Sequence, residues 1–227
     1  MHPFFRPALL VLGLMSVAAG QAQPAYDMGR YHLVLLFEGA HVVSPDTLTA
    51  HQAHVERLVT EGVVATSGSV SDASLREVLV VRTDSMAHAQ QVAASLPAVR
   101  AGGYRAEVLG WFVARNMLTA PSQPRRDIPY AFCLLLTGPN ANQEAQEARR
   151  LQDGHMANIQ RLADEGALVL AGPLVDARPR RGVFIFSRPV EEALALSATD
   201  PAVVAGRFAV DCYGWTVPAG TLPAGHR

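Results

Sequence analysis

The sequence predicts an α+β fold in which two tandem βαββαβ units pack sheet to sheet as an intrachain α+β barrel. Three observations carry this expectation: an internal repeat, the same order of strand and helix patterns in each copy, and an apolar content high enough to bury both faces of each sheet. Residues 51–111 placed above 155–215, at a constant offset of 104, are identical at about three positions in ten, roughly three times the chance rate. His51 falls on His155, Arg57-Leu58 on Arg161-Leu162, Glu61-Gly62 on Glu165-Gly166, Gly68 on Gly172, Pro97-Ala98-Val99 on Pro201-Ala202-Val203, and Gly110-Trp111 on Gly214-Trp215. Of the 227 residues, 49% are hydrophobic and 17% charged. The charged share is well below the roughly 25% of an average soluble chain, which excludes disorder and leaves a large core.

Each unit reads in one order. An apolar strand (31–37; 130–136) leads through a polar turn into a helix. In the second unit Leu151, His155, Ile159 and Leu162 recur at helical spacing, and Glu165-Gly166 forms a C-terminal stop. Leu48, His51, Val55 and Leu58 repeat this in the first. A short strand follows (63–66; 167–171), then a glycine-containing turn and a third strand (78–81; 183–186). A second helix (86–95; 190–198) and a strand ending near Gly-Trp (105–112; 208–216) complete the unit. This is the split βαβ of ferredoxin-like type, with helices on one face of an antiparallel sheet. The exposed face of one sheet is then available to cover the other. The expected boundaries are 29–114 for a first, degenerate unit, 115–129 for a proline-rich linker, 130–217 for the second unit and 218–227 for a tail.

Residues 1–22 read as an export signal: Arg6 precedes the apolar run 7–19, and Gly20 and Ala22 suit cleavage before Gln23. The expected location is therefore periplasmic or secreted, with no membrane association after cleavage. The two cysteines, Cys133 and Cys212, could pair in such a compartment. Their alternation with neighbouring residues favours two small buried hydrophobes. All 19 basic residues are arginine, which excludes a Schiff-base or P-loop lysine, and a net charge of −1 argues against nucleic-acid binding. A small-molecule substrate or a protein partner is left, with the chain as a monomeric pseudo-dimer or a homodimer. No cofactor is expected. His51 and His54 share a helix face but lack a third metal ligand.

His155 shares the inward face of its helix, where a histidine is either a satisfied structural residue or a functional one. Asp200-Pro201 reads as an N-cap followed by proline at the first helical position. A carboxylate reaching an imidazole N–H would fix its tautomer and support a general acid or base. The matching residue in the first unit is Leu96, so only the second unit can build this pair. Arg178, Arg180 and Arg181 cluster between two strands, as a solvated loop or an anion clamp. Trp111 and Trp215 end equivalent strands and read as repeat-packing anchors.

Taken together, His155, Arg161-Leu162, Asp164-Glu165-Gly166, Ala171-Gly172-Pro173, Glu191-Glu192-Ala193, Asp200-Pro201, Gly206 and Gly214-Trp215 resemble the YCII-related domain in order and spacing. That resemblance implies a dimeric α+β barrel with a His-Asp dyad as active site, in a family that includes a dehydrochlorinase-type lyase. It matches His155 and Asp200 to the dyad and sets a Gly172-Pro173 turn beside the cleft; Arg178, from the arginine cluster, is the further candidate substrate contact. The implied activity is elimination or isomerisation, with His155 as general acid/base. A non-catalytic binding module is the alternative. The first unit keeps His51, Gly62 and Gly68 but has Ser69 in place of Pro173.

Overall fold

A computed structural model describes residues 27–71, 74–175 and 177–225; the expected export signal lies outside them. The first half runs β1 (Met28–Glu38), α1 (Pro45–Thr60), β2 (Val64–Ser71), β3 (Leu75–Val81), α2 (Met86–Ser95), α3 (Pro97–Arg100) and β4 (Tyr104–Ala114). The second runs β5 (Asp127–Thr137), α4 (Ala145–Asp164), β6 (Leu168–Val175), β7 (Arg180–Phe186), α5 (Val190–Ser197), α6 (Pro201–Val204) and β8 (Phe208–Pro218). The expected second helix of each unit is thus followed by a separate short turn of helix, opened by Pro97 or Pro201, because proline suits a first helical position but not a helix interior.

The eight strands close into one antiparallel barrel in the order β1-β3-β2-β8-β5-β7-β6-β4. Closure removes the free edges that two stacked sheets would leave. It also explains why β1 is buried on both sides: Leu33 and Leu35 point into the barrel, whereas Val34 and Leu36 lie under the first half's helices, all without exposure. On β5, Phe132 and Leu134 face inward while Ala131, Cys133 and Leu135 face the second half's helices.

The halves meet at two seams, β2 with β8 and β4 with β6. At each, a tryptophan of one half lies fully buried and donates its indole N–H to a glycine carbonyl of the other: Trp215 to Gly68 and Trp111 to Gly172, both at 3.2 Å. A Cβ on Gly68 would overlap the Thr216 carbonyl, and one on Gly172 the Phe112 carbonyl. Only glycine permits that backbone approach. The tryptophans are therefore the anchors the repeat suggested.

Three sequence expectations are corrected. Cys133 and Cys212 oppose each other on β5 and β8 and form a disulfide; strand alternation gives the facing direction of each but not the register that sets them side by side. The proline-rich stretch is not all connection: β5 begins at Asp127, and the preceding turn holds Leu118 at 3% exposure. The expected tail packs against the barrel interior, with Leu222 buried and Thr221 accepting a hydrogen bond from the buried hydroxyl of Thr66 at 3.0 Å.

Candidate functional site

His155 lies midway along α4, whose buried stripe is Leu151, His155, Asn158 and Leu162. The residue is 7% exposed, its ring stacked on Phe184 of β7 at 5.8 Å between centroids and meeting Phe208 of β8 edge-on at 5.2 Å. Asp200, fully buried, caps α6: its Oδ1 accepts the Ala202 N–H at 2.8 Å, and its Oδ2 lies 2.5 Å from His155 Nδ1. A carboxylate cannot donate, so Nδ1 carries the proton in this pair. Nε2 has no partner among the described residues and is not sealed from solvent. The result is an imidazole held from behind by a carboxylate, with one basic nitrogen turned outward.

A helical glycine lies beside this contact. Gly154 costs α4 about 1 kcal/mol relative to alanine, but its bare Cα admits the Pro201 ring, whose Cγ would stand 3.0 Å from an added Cβ. The equivalent first-half residue is Ala50. One turn beyond His155, Asn158 accepts from Arg161 Nη2 at 2.8 Å and Thr199 Oγ1 at 3.1 Å through Oδ1. Those donors fix the amide's orientation and leave Nδ2 buried without a partner. Repeat comparison missed Gly154 and Asn158; a lone glycine inside a helix was the available signal.

Gly172 and Pro173, expected in a turn beside the cleft, belong to strand β6, where they pair with Val183 and Gly182. They form part of the seam because the Trp111 indole needs the Gly172 carbonyl. Arg178 is exposed in the turn before β7. Arg180 is taken by Glu107 at 2.5 Å. Arg181 is held below the ordinary guanidinium range, first by burial and then by the like charges of Arg178 and Arg207. A positive cluster therefore includes Arg207, whose guanidinium also stands 5.9 Å from the Phe208 ring that touches His155.

The first half builds a different pair. Leu96, fully buried, occupies the Asp200 position, yet His51 Nε2 lies 2.8 Å from Glu77 Oε2. Tyr104, in the Phe208 position, meets the His51 ring edge-on at 5.6 Å. Glu77 pairs with Leu36 and Ser69 across the sheet, as Gly182 does with Leu135 and Pro173. The ungapped offset of 104 had set Glu77 against Arg181 instead.

No family model matches the sequence, and no curated protein matches it. Solved structures do. A proposed chlorite dismutase superposes with a TM-score of 0.53 at 10% identity, covering 83% of this chain and 94% of its own. A proposed monooxygenase from Fusobacterium nucleatum subsp. nucleatum gives 0.53 at 12% identity, covering 90% and 98%. The likeness is one of fold. This chain shares their α+β barrel fold, here closed within a single polypeptide.

Proposed function

We propose that this protein is an exported small-molecule enzyme of YCII-like type, built as two tandem ferredoxin-like units, in which His155 is the general acid/base and Asp200 its orienting partner. The observation that carries the reading is the 2.5 Å contact between His155 Nδ1 and a fully buried carboxylate, with Nε2 left open. In that state Nε2 can accept a proton from a substrate carbon. The electron pair left behind either expels a leaving group from the neighbouring carbon, as in elimination, or is reprotonated elsewhere, as in isomerisation. The imidazolium formed is stabilised by Asp200 and returns the proton in the second step. The Arg178, Arg181 and Arg207 cluster favours an anionic substrate such as a carboxylate or phenolate. The cross-strand disulfide supports an oxidising compartment, consistent with export. A barrel complete within one chain supports a monomeric pseudo-dimer; an obligate swapped homodimer in sedimentation would contradict it.

Small cyclic acids and halogenated phenols are the first compounds to screen for turnover. His155→Ala should abolish conversion of any substrate found; it also leaves the buried Asp200 carboxylate without its partner, a loss of about 3–5 kcal/mol, so conversion is compared in protein shown to be folded. Full activity in that variant refutes the catalytic role. Binding without product in the parent protein would instead support a ligand-holding module on the same residues.

A further inference from the structure

The two halves have reversed the order of their paired groups. In the second, the imidazole is the more exposed member, with 9% of its side chain accessible against none for Asp200. In the first, the carboxylate is: Glu77 retains 16% and His51 only 3%. Glu77 lines a cleft of about 740 Å³ between α1, β2, β3 and the connection between the halves. His51 does not line it. One Glu77 oxygen is held by His51, and the other, Oε1, has no partner among the described residues and is not sealed from solvent.

The charge around this cleft is lopsided. Arg125 at its rim is shared between Glu56 Oε1 at 2.9 Å and Asp127 Oδ1 at 3.4 Å. Two carboxylates thus claim one guanidinium, and no arginine reaches Glu77 among the described residues. Nor does His51 need to neutralise it. The imidazole donates from Nε2, while its Nδ1 is buried and unpartnered; a proton there would be a buried donor with no acceptor, which costs about 1–3 kcal/mol. The carboxylate's field also reaches Tyr104, whose phenol is held above its ordinary range first by burial and then by Glu77. Val55 and Val59 of α1 line the cleft with apolar surface, and Ser67 and Ser69 of β2 offer hydroxyls beside Glu77.

We infer that the first half carries a second ligand site, in which Glu77, backed by the buried His51, binds the ammonium group of a small organic amine whose alkyl part lies along Val55 and Val59. This is independent of His155, and it selects the opposite ligand charge from the arginine cluster of the second half.

Full-length mature protein labelled with 15N, titrated with n-butylammonium chloride and separately with sodium butyrate, tests the assignment. Butylammonium should shift the amides of Ser67, Ser69 and Glu77 saturably, and butyrate should not. Glu77→Gln should weaken butylammonium binding at least tenfold, whereas His155→Ala should leave it unchanged. No saturable shift, equal shifts with butyrate, or a folded Glu77→Gln protein that binds as tightly as the parent overturns the proposal. Should Glu77→Gln fail to fold, Ser69→Tyr, which obstructs the cleft and leaves the His51–Glu77 pair intact, decides by the same measurement.

Discussion

Replacing Asp200 by asparagine alters a hydrogen and a charge while leaving the shape of the site unchanged, and the structure dictates where that hydrogen goes. Oδ1 of Asp200 accepts the Ala202 N–H at 2.8 Å, so the asparagine must keep its carbonyl oxygen there. Its amide nitrogen then faces His155 Nδ1, which in the parent protein is the donor at 2.5 Å. Two donors cannot share that contact, so the imidazole must move its proton to Nε2 and present Nδ1 as acceptor. The helix cap survives, since asparagine caps as well as aspartate. What is lost is one charge-assisted bond, about 1.5–3 kcal/mol. For a chain of this size that is a fall of a few degrees in Tm per kcal/mol. The outward nitrogen is no longer a base, and turnover by a general acid/base route should fall by about 10²–10⁴. Long-range 1H–15N correlation of the histidine ring reads the tautomer directly and needs no substrate. Finding Nε2 still unprotonated in the variant, or Nδ1 unprotonated in the parent, would refute the assignment.

Gly154→Ala should lower activity with little net loss of stability: the roughly 1 kcal/mol of helix propensity gained is opposed by pressing Pro201, and with it Asp200, away from His155, visible as a lengthened contact in a crystal structure. Gly172→Ala places a methyl against the Phe112 carbonyl and should open the β4–β6 seam, costing about 2–4 kcal/mol in urea denaturation. Replacing both Cys133 and Cys212 by alanine releases a crosslink spanning 79 residues and should cost about 2–5 kcal/mol, an effect that reducing agent reproduces in the parent alone. His54 is held below its ordinary value of 6.5, first by burial and next by the Arg57 guanidinium. The unfolded chain therefore takes up this proton before the folded one, so stability falls as pH drops from about 6.5 through the lowered value and levels off beneath it. His54→Gln should flatten that part of the denaturation profile.

Strand and helix order was legible because period-2 and period-3.6 patterns survive in both copies. The inward face of His155 followed from its helical spacing to Leu151, Ile159 and Leu162. Asp200 was readable as a cap, but its reach to His155 was not, since that joins two residues 45 apart in sequence through the packing of α6 on α4. Glu77 escaped for a different reason. The ungapped repeat is out of step by one residue in β3, which hid that a carboxylate stands where the other copy has Gly182. Its alternation with Leu79 and Val81, which lie under the helices, is the clue that a charged side chain occupies the buried face.

Closing the barrel within one polypeptide has a genetic consequence. In a barrel assembled from two identical chains, a single mutation changes both copies of a site, so each substitution must be tolerated twice. Here the Gly68–Trp215 and Gly172–Trp111 seams hold the halves together while each half keeps its own codons. Asp200 could be kept or gained without touching Leu96, and Glu77 without touching Gly182. Such a chain has the divergence available to a heterodimer, yet its two halves are always made in equal number and never need to find each other.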